Sequence, residues 1–175
     1  MVKIIYKKGK EGQNNLSSIE GIEIELRNGQ KALIYPKYDE RQMLTSEQIS
    51  KWSANNETEF EALNRESTAL ETECLREIGS PAAQWVSQFK YGRYINFYLP
   101  SLLAALEIQN QKKEIDALAE TIEGADLLRD HISYAYILSC SREKLISCWC
   151  VNDINFACSG LLNDFYLVVP TILYR

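Results

Sequence analysis

The chain opens on an alternating segment. Gly21-Ile22-Glu23-Ile24-Glu25-Leu26 switches between apolar and charged residues with a period of two, as a strand with one buried face does. A second run, Lys31-Ala32-Leu33-Ile34-Tyr35, follows after Arg27-Asn28-Gly29-Gln30. Asn-Gly between two such runs predicts a β-hairpin with a type I′ turn, which needs positive φ at both central residues. Residues 2–6 supply a third strand, and Pro36 ends the hairpin. The period then changes. Thr45 or Ser46 caps a short helix to Trp52, with Glu47 or Gln48 close behind. Over residues 57–78, Phe60, Leu63, Ser67, Leu70, Cys74 and Ile78 recur at spacings of three and four, one apolar stripe on a long helix. Glu57, Glu59 and Glu61 in its first turn suit the positive end of the helix dipole. Gly79 then offers a stop, Ser80 an N-cap and Pro81 a first helical position for a further helix to Phe89.

After Tyr91-Gly92 the chain turns through an aromatic stretch, and Ser101 caps a helix carrying Leu102, Leu103, Leu106 and Ile108. Ile115, Leu118, Ala119 and Ile122 share one face of the next helix, which Gly124 closes. From Leu145 onward the only charges are Asp153, Asp164 and Arg175. Apolar runs over 146–151 and 165–169, separated by Asn155, Ser159, Gly160 and Asn163, read as buried or paired strands. Helices in the middle with strands at both ends predict an α+β domain rather than a parallel βαβ array. The expected organisation is N-terminal strands and hairpin over 1–45, then a helical segment leading into the C-terminal domain over 46–175, as one compact unit.

Composition narrows the function. A chain of 175 residues, 46% hydrophobic, sustains a core of its own. A net charge of −5, with Lys7, Lys8 and Lys10 as the only dense basic stretch, argues against a nucleic-acid partner. No apolar run approaches the ~18 residues of a membrane span, and the N-terminus carries no export signal, so a cytoplasmic location is expected. The five cysteines, odd in number, then read as reduced thiols. In a strand Cys148 and Cys150 point to one face, where they serve as small core residues. His131, the single histidine, leaves too few ligands for a metal site. It also reads as a structural or exposed residue rather than a base for a cysteine nucleophile. Val151-Asn152-Asp153 has only Asp164 as a carboxylate companion, short of the oxygen set that calcium takes. There is neither a Gly-rich phosphate loop nor a G-x-S-x-G elbow. No cofactor or metal is expected, and binding is expected rather than catalysis.

Six segments in order carry a resemblance. Tyr98-Leu99-Pro100-Ser101-Leu102 before a helix, residues 108–118, and Ile122-Glu123-Gly124-Ala125-Asp126-Leu127 come first. Tyr136-Ile137-Leu138-Ser139-Cys140-Ser141 and Cys148-Trp149-Cys150-Val151-Asn152 follow, and Leu167-Val168-Val169-Pro170-Thr171 closes the series. Together, over residues 80–175, they resemble the bacterial C-type-lectin-like domains related to the formylglycine-generating, sulfatase-modifying fold and to phage tropism determinants. Ile137 or Leu138 stands where that family has a tryptophan, and Val169 where it has an arginine. The resemblance implies a C-type-lectin-like domain; the N-terminal β-hairpin and the long helix lie outside the clearest part of the match and are an addition to it. It implies a non-enzymatic binding or structural module of a bacterial or phage-derived protein, even a phage particle, that recognises a protein or glycan. A homo-oligomer paired through the hairpin edge is one form of such a module. Tyr94, Tyr98, Tyr134, Tyr136 and Trp149 are the candidate ligand-binding side chains, since aromatics offer contact area at low entropic cost. A diverged thiol- or metal-dependent oxidising enzyme is the alternative, resting on the clustered C-terminal cysteines.

Overall fold

The computed structural model describes residues 1–55, 68–132, 136–144 and 147–174, and it brings the two ends of the chain into one sheet. The alternating segment forms β2 (Ile19–Glu25), paired antiparallel with β1 (Lys3–Tyr6) and with β3 (Lys31–Ile34). β3 also pairs antiparallel with β11 (Thr171–Tyr174), giving the order β1-β2-β3-β11. The expected hairpin is present, but both its edges are taken; the sheet's outer strands are β1 and β11. Its turn also differs from the expected one. Leu26 N–H donates to Gln30 O at 2.8 Å and Gly29 N–H to Leu26 O at 3.0 Å. Only Gly29 has positive φ (79°), so the loop is a type I turn closed by a left-handed glycine.

One carboxylate joins all four strands. Glu23, only 7% exposed, lies opposite Lys3 of β1 and takes its ammonium at 3.1 Å. Lys31 of β3 approaches it at 3.5 Å, and the Tyr174 hydroxyl of β11 donates to it. Burial alone would raise the Glu23 pKa, but the Tyr174 hydrogen bond and the two lysines together hold it below its ordinary value.

A second, mixed sheet has the order β4-β10-β7-β8-β9. It comprises β4 (Asp39–Gln42), β7 (Ile137–Lys144), β8 (Ser147–Val151), β9 (Ala157–Leu161) and β10 (Phe165–Val168). Only β10 and β7 run parallel, meeting at Leu167 and Ile137. Adjacent residues on these strands enter different cores. Ile137, Val151 and Leu167 face one, with Ile22, Ile24 and Ile34. Leu138, Cys148, Cys150, Tyr166 and Val168 face the other, with Leu33 and Ile172. Burial on both faces explains why the C-terminal strands read as near-continuous apolar runs.

Helices pack against each core. Ala104, Ala105 and Ile108 of α4 (Leu102–Asn110) and Ile115 and Ala119 of α5 (Lys112–Ala119) fill the first. The second takes Leu75 of α2 (Thr68–Glu77) with Ala82, Ala83 and Val86 of α3 (Pro81–Val86). The start signals act as read: Ser80 Oγ accepts from Ala83 N at 3.2 Å, and Ser101 Oγ from Ala104 N at 3.1 Å. After α2, Ser80 N–H donates to Leu75 O and Gly79 N–H to Arg76 O, a Schellman stop with Gly79 at φ 84°. α3 ends three residues before the expected Phe89, because Lys90 already begins a strand. His131 lies in a short helix, α6 (Arg129–Ile132), with its ring edge-on to Tyr38.

The stripe read along 57–78 is corrected where it is described. Leu70 is exposed, whereas Glu71, Thr72 and Leu75 are buried. The helix is rotated because Thr72 Oγ1 accepts the buried Leu99 N–H at 2.9 Å, turning that face inward. The earlier part of that segment, with Phe60 and Leu63, lies outside the described residues.

α1 (Ser46–Asn55) starts with a reciprocal cap, Gln48 N–H to Thr45 Oγ1 and Thr45 N–H to Gln48 Oε1. The same Gln48 amide donates to Ile78 O at 3.1 Å and Gly79 O at 2.8 Å, closing the C-terminus of α2. Gln48→Ala is expected to cost about 1–2 kcal/mol, because it removes a cap and leaves two carbonyls short of a donor. Thermal melting reads the loss, and an unchanged midpoint would show that these contacts carry no net stability.

Candidate functional site

The segment between α3 and α4 does not bury its side chains. β5 (Lys90–Tyr91) and β6 (Ile95–Asn96) form a two-stranded hairpin, turned at Gly92 with φ 61°, and every residue from 90 to 96 is exposed. Tyr94 is the extreme case at 90% exposure, with Ile95 at 48% beside it. Gly92 N–H donates to Glu20 at 3.4 Å.

Immediately after this hairpin the chain is held firmly. Phe97 is buried, its N–H donating to Phe89 O at 2.9 Å. Its ring belongs to an aromatic cluster: Phe97 lies 5.6 Å from Tyr35, Tyr35 5.1 Å from Phe89, and Phe89 4.9 Å from Trp85. Tyr98 exchanges both backbone hydrogen bonds with Thr171, and its hydroxyl accepts from Leu173 N at 2.6 Å. Leu99 is fixed to Thr72 of α2, and Ser101 starts α4. The aromatic stretch is thus clamped between a helix and β11, while its leading end, residues 90–96, is exposed and is tied to β2 through the Gly92–Glu20 hydrogen bond.

A groove of about 270 Å³ lies between the hairpin and α2. Tyr94, Ile95, Asn96, Phe97 and Tyr98 form one wall, and Ala69, Thr72, Glu73 and Ser87 the other. It lies just under the ~300–1,000 Å³ typical of small-molecule sites. Among the described lining residues the one carboxylate is paired: Arg76 holds Glu73 with Nε at 2.9 Å and a second contact from the guanidinium. That hydrogen bonding keeps Glu73 below its ordinary pKa. Lys90 and Arg93 give the hairpin a local positive charge on a chain of net charge −5. Chemically the groove offers aromatic faces, an amide and hydroxyls. It can stack a flat or ring-shaped group and hydrogen-bond its rim.

Of the sequence candidates, the structure brings Tyr94 and Tyr98 together here. They differ in role, since the Tyr98 hydroxyl is engaged by the backbone. Tyr136, 45% exposed, instead precedes β7, where its carbonyl accepts from Leu167 N at 2.8 Å. Trp149 lies in β8, where it pairs with Ser159 of β9. Tyr134 lies outside the described residues. Sequence reasoning missed Thr72, Glu73, Ser87 and Asn96. Thr72, off the apolar stripe of α2, was the available signal, and the apolar spacing drew attention to the wrong face.

The cysteines lie elsewhere. Cys148 and Cys150 point into the second core, as their spacing indicated, and burial pushes the Cys148 thiol up to about 12. Cys150 is raised as well, by burial and by the neighbouring Cys158 thiol. Among the described residues no three His, Cys, Asp or Glu side chains converge to hold a metal, and no helix is long and apolar enough to cross a membrane. No protein-family model, curated protein or solved structure matches the chain.

Proposed function

We propose that this chain is a non-enzymatic binding module of the C-type-lectin-like type, from a bacterial or phage-derived protein, recognising a protein or glycan ligand in the groove beside Tyr94. The observation that carries the reading is a large aromatic side chain left 90% exposed at the wall of a groove whose floor residues Thr72, Phe97 and Tyr98 are held by hydrogen bonds to the body. A two-stranded hairpin is marginal in water on its own, so a tyrosine and an isoleucine displayed to solvent on one have little value to the fold. The order of the six resembling segments supports the scaffold. Tyr98-Leu99-Pro100-Ser101 leads into α4, and Leu167-Val168-Val169-Pro170-Thr171 bridges β10 and β11, and backbone pairing between Tyr98 and Thr171 joins the two.

The thiol-enzyme alternative draws on the proximity of Cys150 and Cys158. Against it, the buried thiols are held protonated at neutral pH, where a nucleophile needs its thiolate. His131 packs on Tyr38 instead.

Tyr94→Ala separates the readings. Because Tyr94 is nearly fully exposed, stability is expected to change by no more than about 0.5 kcal/mol. Binding to whichever glycan or peptide the native protein selects from arrayed libraries is expected to weaken at least tenfold, about 1.4 kcal/mol, as for aromatic hot spots. Unchanged binding by this variant would remove the groove from the recognition site.

A further inference from the structure

The β8–β9 hairpin places two sulfurs against each other. Cys150 and Cys158 are direct partners in the antiparallel register, and their Sγ atoms lie 3.4 Å apart. Both are free thiols. β9 is the outermost strand of its sheet, and Cys158 on it is half-buried, whereas Cys150 is fully buried. Cys148, two residues away on the same face of β8, has Gly160 opposite, and its thiol contacts the Gly160 carbonyl at 3.6 Å. The geometry therefore singles out one pair from the three thiols. The turn joining the strands is built to hold this register. Asn152 N–H donates to Phe156 O at 3.0 Å, Phe156 N–H to Asn152 Oδ1 at 2.8 Å, and Asn155 takes φ 62°.

We infer that Cys150 and Cys158 form a reversible modification site, a cross-strand disulfide made by exchange with a small-molecule disulfide such as oxidised glutathione. The accessible Cys158 thiol loses its proton and attacks one sulfur of the oxidant, forming a mixed disulfide and releasing one thiol. Cys150 then loses its proton and attacks Cys158 Sγ, closing the protein bond and expelling the second thiol. Two protein thiols give up two electrons and two protons, and the oxidant gains both. The sulfurs need to approach by only about 1.4 Å to reach the ~2.05 Å of a disulfide. Directly opposed strand residues hold their Cβ atoms ~4.5–5.5 Å apart, wider than the ~3.8 Å a relaxed disulfide prefers. A bond closed there bears strain, and strained disulfides are the readily reduced, regulatory ones. Its consequence is to staple the edge strand β9 to β8, reducing fraying of the hairpin. Because burial keeps the Cys150 thiol protonated, ring closure speeds up as pH rises.

The test treats the folded native chain with oxidised glutathione and follows intact mass and peptide mapping. The expected product has lost two hydrogens, maps to Cys150–Cys158 and reverts with dithiothreitol, and its β9 amides exchange about tenfold more slowly. Cys148→Ser retains the bond. Cys158→Ser, at a half-buried position where hydroxyl for thiol is tolerated, abolishes it. Cys150→Ser, if it folds, leaves a stable glutathione adduct on Cys158. A bond that maps to another pair, persists in Cys158→Ser, or fails to form while Cys158 accumulates a glutathione adduct in the native chain would overturn the assignment.

Discussion

Replacing Glu23 with alanine is expected to destabilise the protein by about 2–3 kcal/mol, lowering the melting temperature by roughly 5–10 °C for a chain of this size. The variant leaves Lys3 and Lys31 facing one another across β2 with no carboxylate between them, and takes the acceptor from the Tyr174 hydroxyl. Removing the buried member of this cluster costs more than the ion pairs alone contribute, because the Tyr174 hydroxyl is left without its acceptor and two like charges lose the carboxylate between them. Both lysines are more than two-fifths exposed and can turn toward water, which keeps the cost at the lower end of that range. The pH dependence follows from the lowered Glu23 pKa. The carboxylate's contribution is fully present above its ordinary value of 4.5 and is lost as pH falls through the lower folded-state value. Native protein and Glu23→Ala should therefore differ most at neutral pH and converge in strong acid. A difference that stays constant from pH 7 to pH 3 would show that the residue acts by packing alone.

Gly160→Ala is expected to cost about 2–4 kcal/mol, although Gly160 lies on an edge strand and carries no side chain. A β-carbon at this position would overlap the Tyr166 hydroxyl and come within 2.8 Å of the ring's Cζ. Tyr166 cannot retreat cheaply. It is 3% exposed in the second core, and its hydroxyl donates to Leu161 O at 2.6 Å. The substitution therefore combines overpacking with loss of a buried hydrogen bond. Since the hydroxyl is the nearest obstacle, Tyr166→Phe should relieve part of the clash. The double variant should then be more stable than the sum of the single costs by about 1 kcal/mol. Strict additivity in denaturant unfolding would mean that the strand shifts to accommodate the new methyl.

How far the sequence reached depended on the range of the signal. The β2–β3 pairing, the Ser80 and Ser101 caps and the Gly79 stop are decided within a few residues, and the chain shows them directly. The type I turn departed from the expected one because a three-residue loop needs only Gly29 in the left-handed region. β4 was invisible: Asp39-Glu40-Arg41-Gln42 has no apolar alternation, and its pairing with β10 rests on backbone hydrogen bonds at a sheet edge. The rotation of α2 was equally hidden, because a single long-range bond, Leu99 to Thr72, outweighs the exposure of Leu70. The same bond builds one wall of the groove, so half of the candidate site was out of reach from spacing alone. Tyr94 and Tyr98 could be picked out because aromatic residues cluster there. Their division into a free ring and an anchored one depends on β11, 73 or more residues further along the chain.

The measurement that bears most directly on recognition at the groove is amide NMR mapping of the native chain during titration with a library of monosaccharides and short peptides. The expected result is that every binder shifts one contiguous set of amides, Thr72, Glu73 and residues 94–98, while β8 and β9 remain unmoved. Binders whose shifts gather along β8 and β9, with the hairpin amides unchanged, would contradict recognition beside Tyr94 and move the search to the thiol-bearing edge of the second sheet.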